Sequence, residues 1–194
     1  ISAITCAQAL VINEILSNPA GDDYGREWIE VYNNSDEVVD LSSLTISIKG
    51  GTFLSVTPVS GGVTVAPRDH AIIGSTVGGV TKFTQDYPNY TKPLFKSSIS
   101  LVNTGVTSLE IKLGGQTVDT LASYTAAKEG SSYSLVDGSF ATSVPTPGGE
   151  NEKDSSSDNE ATSTPPGDQG GLLQMVPPGS DVVLYLPFEK IVAA

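Results

Sequence analysis

The chain carries one cysteine and one histidine among 194 residues, and each scarcity closes off a class of chemistry. With Cys6 alone, neither an internal disulfide nor a thiolate metal cage can form. With His70 alone, any histidine-dependent triad has to use that residue, which follows Pro67-Arg68-Asp69 at a turn and is expected to be exposed at the start of a strand. No Gly-x-Ser-x-Gly elbow and no Walker or Rossmann glycine loop occurs, so no catalytic residues, cofactor or enzymatic activity are expected. Basic residues are scarce too. Lys and Arg total 10 against 22 Asp and Glu, for a formal net charge of -12 and an isoelectric point near 4.2. No Lys/Arg cluster is present, which excludes nucleic acid as a partner, because phosphates require a basic face. No apolar run reaches the ~20 residues that span a bilayer, and no segment sustains a 3.6-residue period, so almost no helix is expected.

What the chain does have is short apolar runs separated by turn formers. Candidate strands are Leu10–Leu16, Glu27–Asn33, Leu44–Ile48, Gly51–Val56, Gly62–Val65, His70–Ile73, Ser98–Leu101, Ser108–Leu113, Gln116–Ala122 and Ser131–Leu135. Lys49-Gly50-Gly51-Thr52 and Gly114-Gly115 are hairpin turns suited to positive φ. So many short antiparallel strands predict an all-β sandwich over residues 10–143. The longest link, Gly74 to Lys96, reads as an irregular loop whose tyrosines fold back on the sandwich.

The flanks differ in composition. Residues 1–9 read as the tail of a signal peptide, with Ala7-Gln8-Ala9 in the small-x-small form of a cleavage site; a lipoprotein box around Cys6 is the alternative. Residues 144–171 are rich in Pro, Gly, Ser and acid and read as a disordered linker. Residues 172–194 regain apolar character, with a strand at Val182–Leu186 that starts a further element or adds to an edge of the sandwich.

Several pieces occur together in order: Val11-Ile12-Asn13-Glu14-Ile15, Asn18-Pro19, Gly21-Asp22, Glu27-Trp28-Ile29-Glu30-Val31-Tyr32-Asn33 and Val39-Asp40-Leu41-Ser42. Ile99-Ser100-Leu101-Val102-Asn103, Val118-Asp119, Lys128-Glu129-Gly130-Ser131-Ser132-Tyr133 and Thr146-Pro147-Gly148-Gly149-Glu150-Asn151 follow. This ordered set resembles the lamin-tail domain in the form found in secreted bacterial proteins. The resemblance implies an immunoglobulin-like β-sandwich that serves as an interaction or scaffolding module. One departure is that Ser43-Leu44 stand where the family carries Gly-Trp, so Leu44 is expected to fill a smaller volume in the core.

Side-chain alternation in Glu27–Asn33 sends Ile29 and Val31 to the core and leaves Trp28 and Tyr32 half-buried on the outer face, beneath the long link, with Glu27 and Glu30 on opposite faces. Trp28, Tyr32, Tyr87 and Tyr90 form a candidate binding surface, with core packing as the plainer role. Glu14, Asp22, Asp23, Glu27 and Glu30 are candidate calcium ligands, although no EF-hand or nonapeptide spacing is present. Asn33 and Asn89 head glycosylation sequons. These readings predict a non-catalytic, secreted or cell-surface scaffold that binds a protein or a cell-surface polymer. The alternatives are an accessory domain of a secreted hydrolase and a calcium-dependent adhesion module.

Overall fold

Runs of β-branched and aromatic residues bounded by Gly, Pro, Asn and Ser form thirteen strands among the described residues, which are 9–76 and 81–153 of the computed structural model. Of the signal-peptide reading of residues 1–9, all but residue 9 lies outside the described residues, as do the linker reading from 154 onward and the element expected at 172–194. In chain order the strands begin with β1 (Leu10–Leu16), β2 (Trp28–Asn33), β3 (Val39–Asp40), β4 (Leu44–Ile48), β5 (Leu54–Ser55), β6 (Thr57–Ser60) and β7 (Thr64–Val65). They continue with β8 (His70–Ser75), β9 (Leu94–Ser97), β10 (Val106–Leu113), β11 (Gln116–Thr125), β12 (Ser132–Val136) and β13 (Ser139–Ser143). A single helical turn, α1 (Phe83–Asp86), precedes β9.

Seven strands form one sheet in the order β13-β12-β1-β2-β8-β9-β6, antiparallel except for the β8–β9 pair. Four more form a second sheet, β11-β10-β4-β5, and β3 pairs with β7. The main core lies between the two larger sheets. Ile12, Ile15, Ile29 and Val31 enter it from one side, Ile46, Leu109 and Ile111 from the other. The protein is an all-β, immunoglobulin-like sandwich. Leu44, at the departure from the resemblance pattern, is buried in this core.

Turn chemistry sets two hairpins as expected. Lys49 and Gly50 have φ of 56° and 67°, and Gly114 and Gly115 have 57° and 81°, the left-handed pairs whose twist matches a β-hairpin. Other expectations change. Ser98–Leu101 is not a strand; the strand is Leu94–Ser97, which pairs with β8, while Ile99 and Leu101 are buried from irregular backbone. Gly51–Val56 and Gly62–Val65 shrink to the two-residue β5 and β7, and β3, β6 and β13 were not expected from the alternation. These are short strands at edges, where few side chains repeat often enough to set a period. The described parts of the link Gly74–Lys96, residues 74–76 and 81–96, hold the end of β8, α1 and the start of β9 rather than irregular loop alone.

Two features prepare the outer face of the seven-stranded sheet. First, β1 carries a bulge: Ile12 opposes Val31 and Glu14 opposes Glu30, so Asn13 is an extra residue. A bulge shifts the side-chain phase by one. Ile15 thereby joins Leu10 and Ile12 in the core, and Glu14 turns outward beside Glu30. Second, the fold does not end at Ser143. The Ser143 backbone bridges to Lys153, and the Asn151 side-chain amide donates to the carbonyls of Asn13 (3.1 Å) and Leu135 (3.0 Å). The first ten residues assigned to the linker therefore belong to the sandwich. Their Pro/Gly/Thr composition resembles a linker because backbone amides and one asparagine, not apolar side chains, hold them in place.

Candidate functional site

Cross-strand register places Ser134, Glu14, Glu30, Ile72 and Leu94 in one row across the outer face of the large sheet. The neighbouring row runs from Leu16 to Trp28 and Gly74. The face is thus split into an apolar half, centred on Trp28, and a polar half, centred on Glu14 and Glu30.

The segment 83–90 covers the apolar half. Leu16, Trp28, Ile72, Phe83 and Leu94 form a second buried cluster with Tyr87 and Tyr90 against it. The Trp28 ring meets Phe83 and Tyr87 edge-on at 6.1 and 6.0 Å, and Tyr90 meets Phe83 edge-on at 5.0 Å. The Tyr90 hydroxyl donates to the Pro93 carbonyl at 3.2 Å, and burial holds it protonated well above the usual phenol range. Gly74 has no room for a side chain here, because a Cβ would lie 2.3 Å from the Thr81 hydroxyl oxygen.

Residues 145–151 cover the polar half. Glu14 accepts the Thr146 amide at 3.1 and 3.2 Å, with Ser134 and the Thr146 hydroxyl on the same carboxyl. Glu30 accepts the Gly148 amide at 2.5 Å through one oxygen and the Asn13 side-chain amide at 2.7 Å through the other. Both glutamates are 0% exposed. Burial raises both carboxyl pKa values against the pull of these hydrogen bonds, that of Glu30 to about 8. Gly148 has φ of +79° and its backbone lies over Tyr90, where a Cβ would meet Cε2 at 3.0 Å. The two covers touch at that point.

Beside Glu30 sits His70, which is buried rather than exposed as expected. Its ring tilts over Tyr32 at 4.9 Å, and Lys92 Nζ approaches Nδ1 at 3.3 Å while pairing with Asp69 at 2.5 Å. Burial first, and the Lys92 charge second, lower the imidazole pKa to about 4. His70 Nε2 lies 3.9 Å from Glu30, and burial disfavours the charged form of both neighbours.

Between the two covers runs an open groove of about 640 Å³. Tyr87, Pro88, Asn89 and Tyr90 line one wall; Pro145, Thr146, Pro147 and Gly149 line the other, with Asp86, Glu150 and Glu152 at the rim. This volume lies in the range of small-molecule and peptide sites. Two of the four aromatic candidates, Tyr87 and Tyr90, line the groove half-buried. Tyr32 is half-buried beside His70, and Trp28 is fully buried, contrary to the expectation of a half-exposed ring, because α1 and Tyr87 form a second layer above it. No local signal in Glu27–Asn33 reports that layer. The far wall was missed for the same reason as its boundary: its anchors lie more than 100 residues away in sequence.

The five acidic candidates divide between two places. Glu14 and Glu30 lie under the 145–151 segment, while Asp22, Asp23 and Glu27 gather with Ser100, Leu101 and Asn103 at the rim of another depression. There Glu27 accepts the Leu101 amide at 3.1 Å, and Asp23 is hydrogen-bonded by the Asn103 side chain. Burial, with a smaller contribution from Asp23, raises the Glu27 carboxyl pKa to about 7. Among the described residues, no group of three or more His, Cys, Asp or Glu is arranged to hold a metal ion. Asn33 is buried, its amide nitrogen engaged by three carbonyls, so its sequon is closed in the folded protein; Asn89 is exposed on the groove.

No curated protein and no solved structure matches the chain. The family model of the Lamin Tail Domain matches residues 5–122, which include both strands of the Glu14–Glu30 pair and the segment 83–90. The sheet continues beyond that match, because β12 lies between β1 and β13. The ordered motifs, the immunoglobulin-like sandwich and the matched span together place the chain in the lamin tail domain family.

Proposed function

We propose that this domain is a non-catalytic module of the secreted or cell-surface type that presents the groove between segments 83–90 and 145–151 to a protein or cell-surface polymer. The observation that carries the reading is the construction of the groove. Each wall is fixed to the sheet by its own buried cluster, aromatic in one case and carboxyl-to-amide in the other. A preformed concave surface of this kind limits the ordering cost of binding. The family is an immunoglobulin-like, interaction-type module, which agrees with this role. The formal net charge of -12 agrees with a solvent-exposed setting.

A photoreactive benzoylphenylalanine placed at the exposed Asn89 tests the reading in the producing cells. A discrete cross-linked partner outside the cell or at its surface is expected. Cross-linking from control positions on the opposite sheet but not from Asn89, or protein confined to the cell interior, would overturn it.

A further inference from the structure

The groove is specific enough in its chemistry to indicate a class of ligand. Rings are prominent in its lining: Tyr87, Pro88 and Tyr90 come from one segment, and Pro145 and Pro147 from the other. Such side chains lose little rotamer freedom on binding. None of the lining residues lies in a β-strand, so no open strand edge is available for a ligand to extend. Recognition by strand addition is therefore excluded here, and a ligand has to be gripped through rings and side chains. A polyproline II segment fits this, because it needs no backbone ladder and docks through its own rings into aromatic-lined grooves.

The charged groups are of one sign. Asp86, Glu150 and Glu152 line the groove, and no Lys or Arg lines it. Asp86 is already engaged by Arg26 at 3.3 Å, which leaves Glu150 and Glu152, both exposed, as the two carboxylates of the opposite rim. Covering these with a neutral chain or a neutral sugar would remove solvent from carboxylates without compensation, whereas a guanidinium or ammonium pairs with them as it binds. The depression continues at both ends. Asp86, Tyr87 and Pro145 also line an adjoining hollow, with Arg26, toward Pro19 and Gly130, and Glu150 also lines one, with Arg68 and His70, toward Tyr32 and Asn151. The length suits an extended chain, and the acidic character that selects a cation belongs to the central groove rather than to its end hollows.

Building on the reading of the domain as an interaction module, we propose that the groove binds an extended, proline-containing peptide segment bearing basic residues, with prolines on the Tyr87–Tyr90 wall and a cation at Glu150 and Glu152. The match is one of shape and charge complementarity, and its electrostatic part is screened by salt.

A fluorescein-labelled peptide of three Pro-Pro-Arg repeats tests this, with three Pro-Pro-Glu repeats and a chitin hexasaccharide as comparison probes. Titration of the full chain is expected to give saturable binding of the arginine peptide. Backbone amide shifts should be confined to 86–90 and 145–152. Affinity should fall at least tenfold between 20 and 500 mM salt, and at least tenfold in the exposed double variant Glu150→Lys/Glu152→Lys. Equal binding of the glutamate peptide, binding of the saccharide alone, no binding, or shifts elsewhere on the sandwich would overturn it. If the peptide fails while Asn89 still cross-links a partner in the cell, the cationic-peptide inference falls and the interaction module stands. If both fail, both readings fall.

Discussion

Segments 83–90 and 145–151 cover neighbouring halves of one sheet face, the first with aromatic rings and the second with backbone amides. The apolar cover gains from every ring it buries and depends on no proton. The polar cover rests on two carboxyls, so its free energy depends on their partners and on pH. Both halves use the same device, a row of outward-facing side chains from β1, β2 and β8, but the bulge at Asn13 decides what β1 contributes. Without the extra residue Glu14 would share the phase of Leu10 and Ile12 and point into the core; with it, a second anchor stands beside Glu30.

The comparison is broken most severely by Trp28→Ala. Loss of this fully buried ring leaves a cavity beneath Phe83 and Tyr87 and is expected to cost about 3–5 kcal/mol, read as a lower urea midpoint for the whole domain. Glu30→Ala should cost less, about 2–3 kcal/mol, by leaving the Gly148 amide and the Asn13 amide buried without an acceptor. Its signature is local: amides at 145–151 lose protection from hydrogen exchange while those of Tyr87 and Tyr90 keep it.

A pH series sharpens the contrast. Glu30 and Glu27 have folded-state pKa values raised to about 8 and about 7 from 4.5, so their contribution is fully present below 4.5 and is lost as pH rises through those values. His70, lowered to about 4, acts in the opposite direction between 4 and 6.5, where the unfolded chain takes up the proton and the folded chain does not. Above 6.5 the carboxyl effect stands alone. Stability is expected to fall by on the order of 1–2 kcal/mol from pH 6.5 to 8.5, and Glu30→Gln should flatten most of that slope.

Gly148→Ala should cost about 1 kcal/mol, since its φ of +79° disfavours any side chain and the new Cβ presses on Tyr90 at the seam between the covers. Glu150→Lys, at the exposed rim, should change the urea midpoint by an amount equivalent to less than about 0.5 kcal/mol.

Which parts of this were legible in the sequence follows from how far apart the partners lie. The residues of β1 and β4, both Gly-containing hairpins and the folding back of Tyr87 and Tyr90 follow from local alternation and turn chemistry. The bulge does not: Val11, Asn13 and Ile15 alternate no worse than Leu10, Ile12 and Glu14, and only pairing with β2 selects the extra residue. The long link does cover Trp28, as its place on the outer face suggested, but the completeness of that burial and the burial of His70 were not legible, because alternation reports which face a side chain occupies and not how tightly a further layer closes over it. The 145–151 wall was the least legible, since amides carry no residue identity and its anchors stand at positions 14 and 30.

The central claim is that residues 145–151 are held to the sheet by the buried carboxyls of Glu14 and Glu30. Hydrogen exchange of the Thr146 and Gly148 amides in the wild type and in Glu14→Ala/Glu30→Ala tests it directly. The account predicts strong protection of both amides in the wild type and its loss in the double variant, with β2 and the 83–90 segment still protected. Free exchange in the wild type, or unchanged protection in the variant, would contradict it.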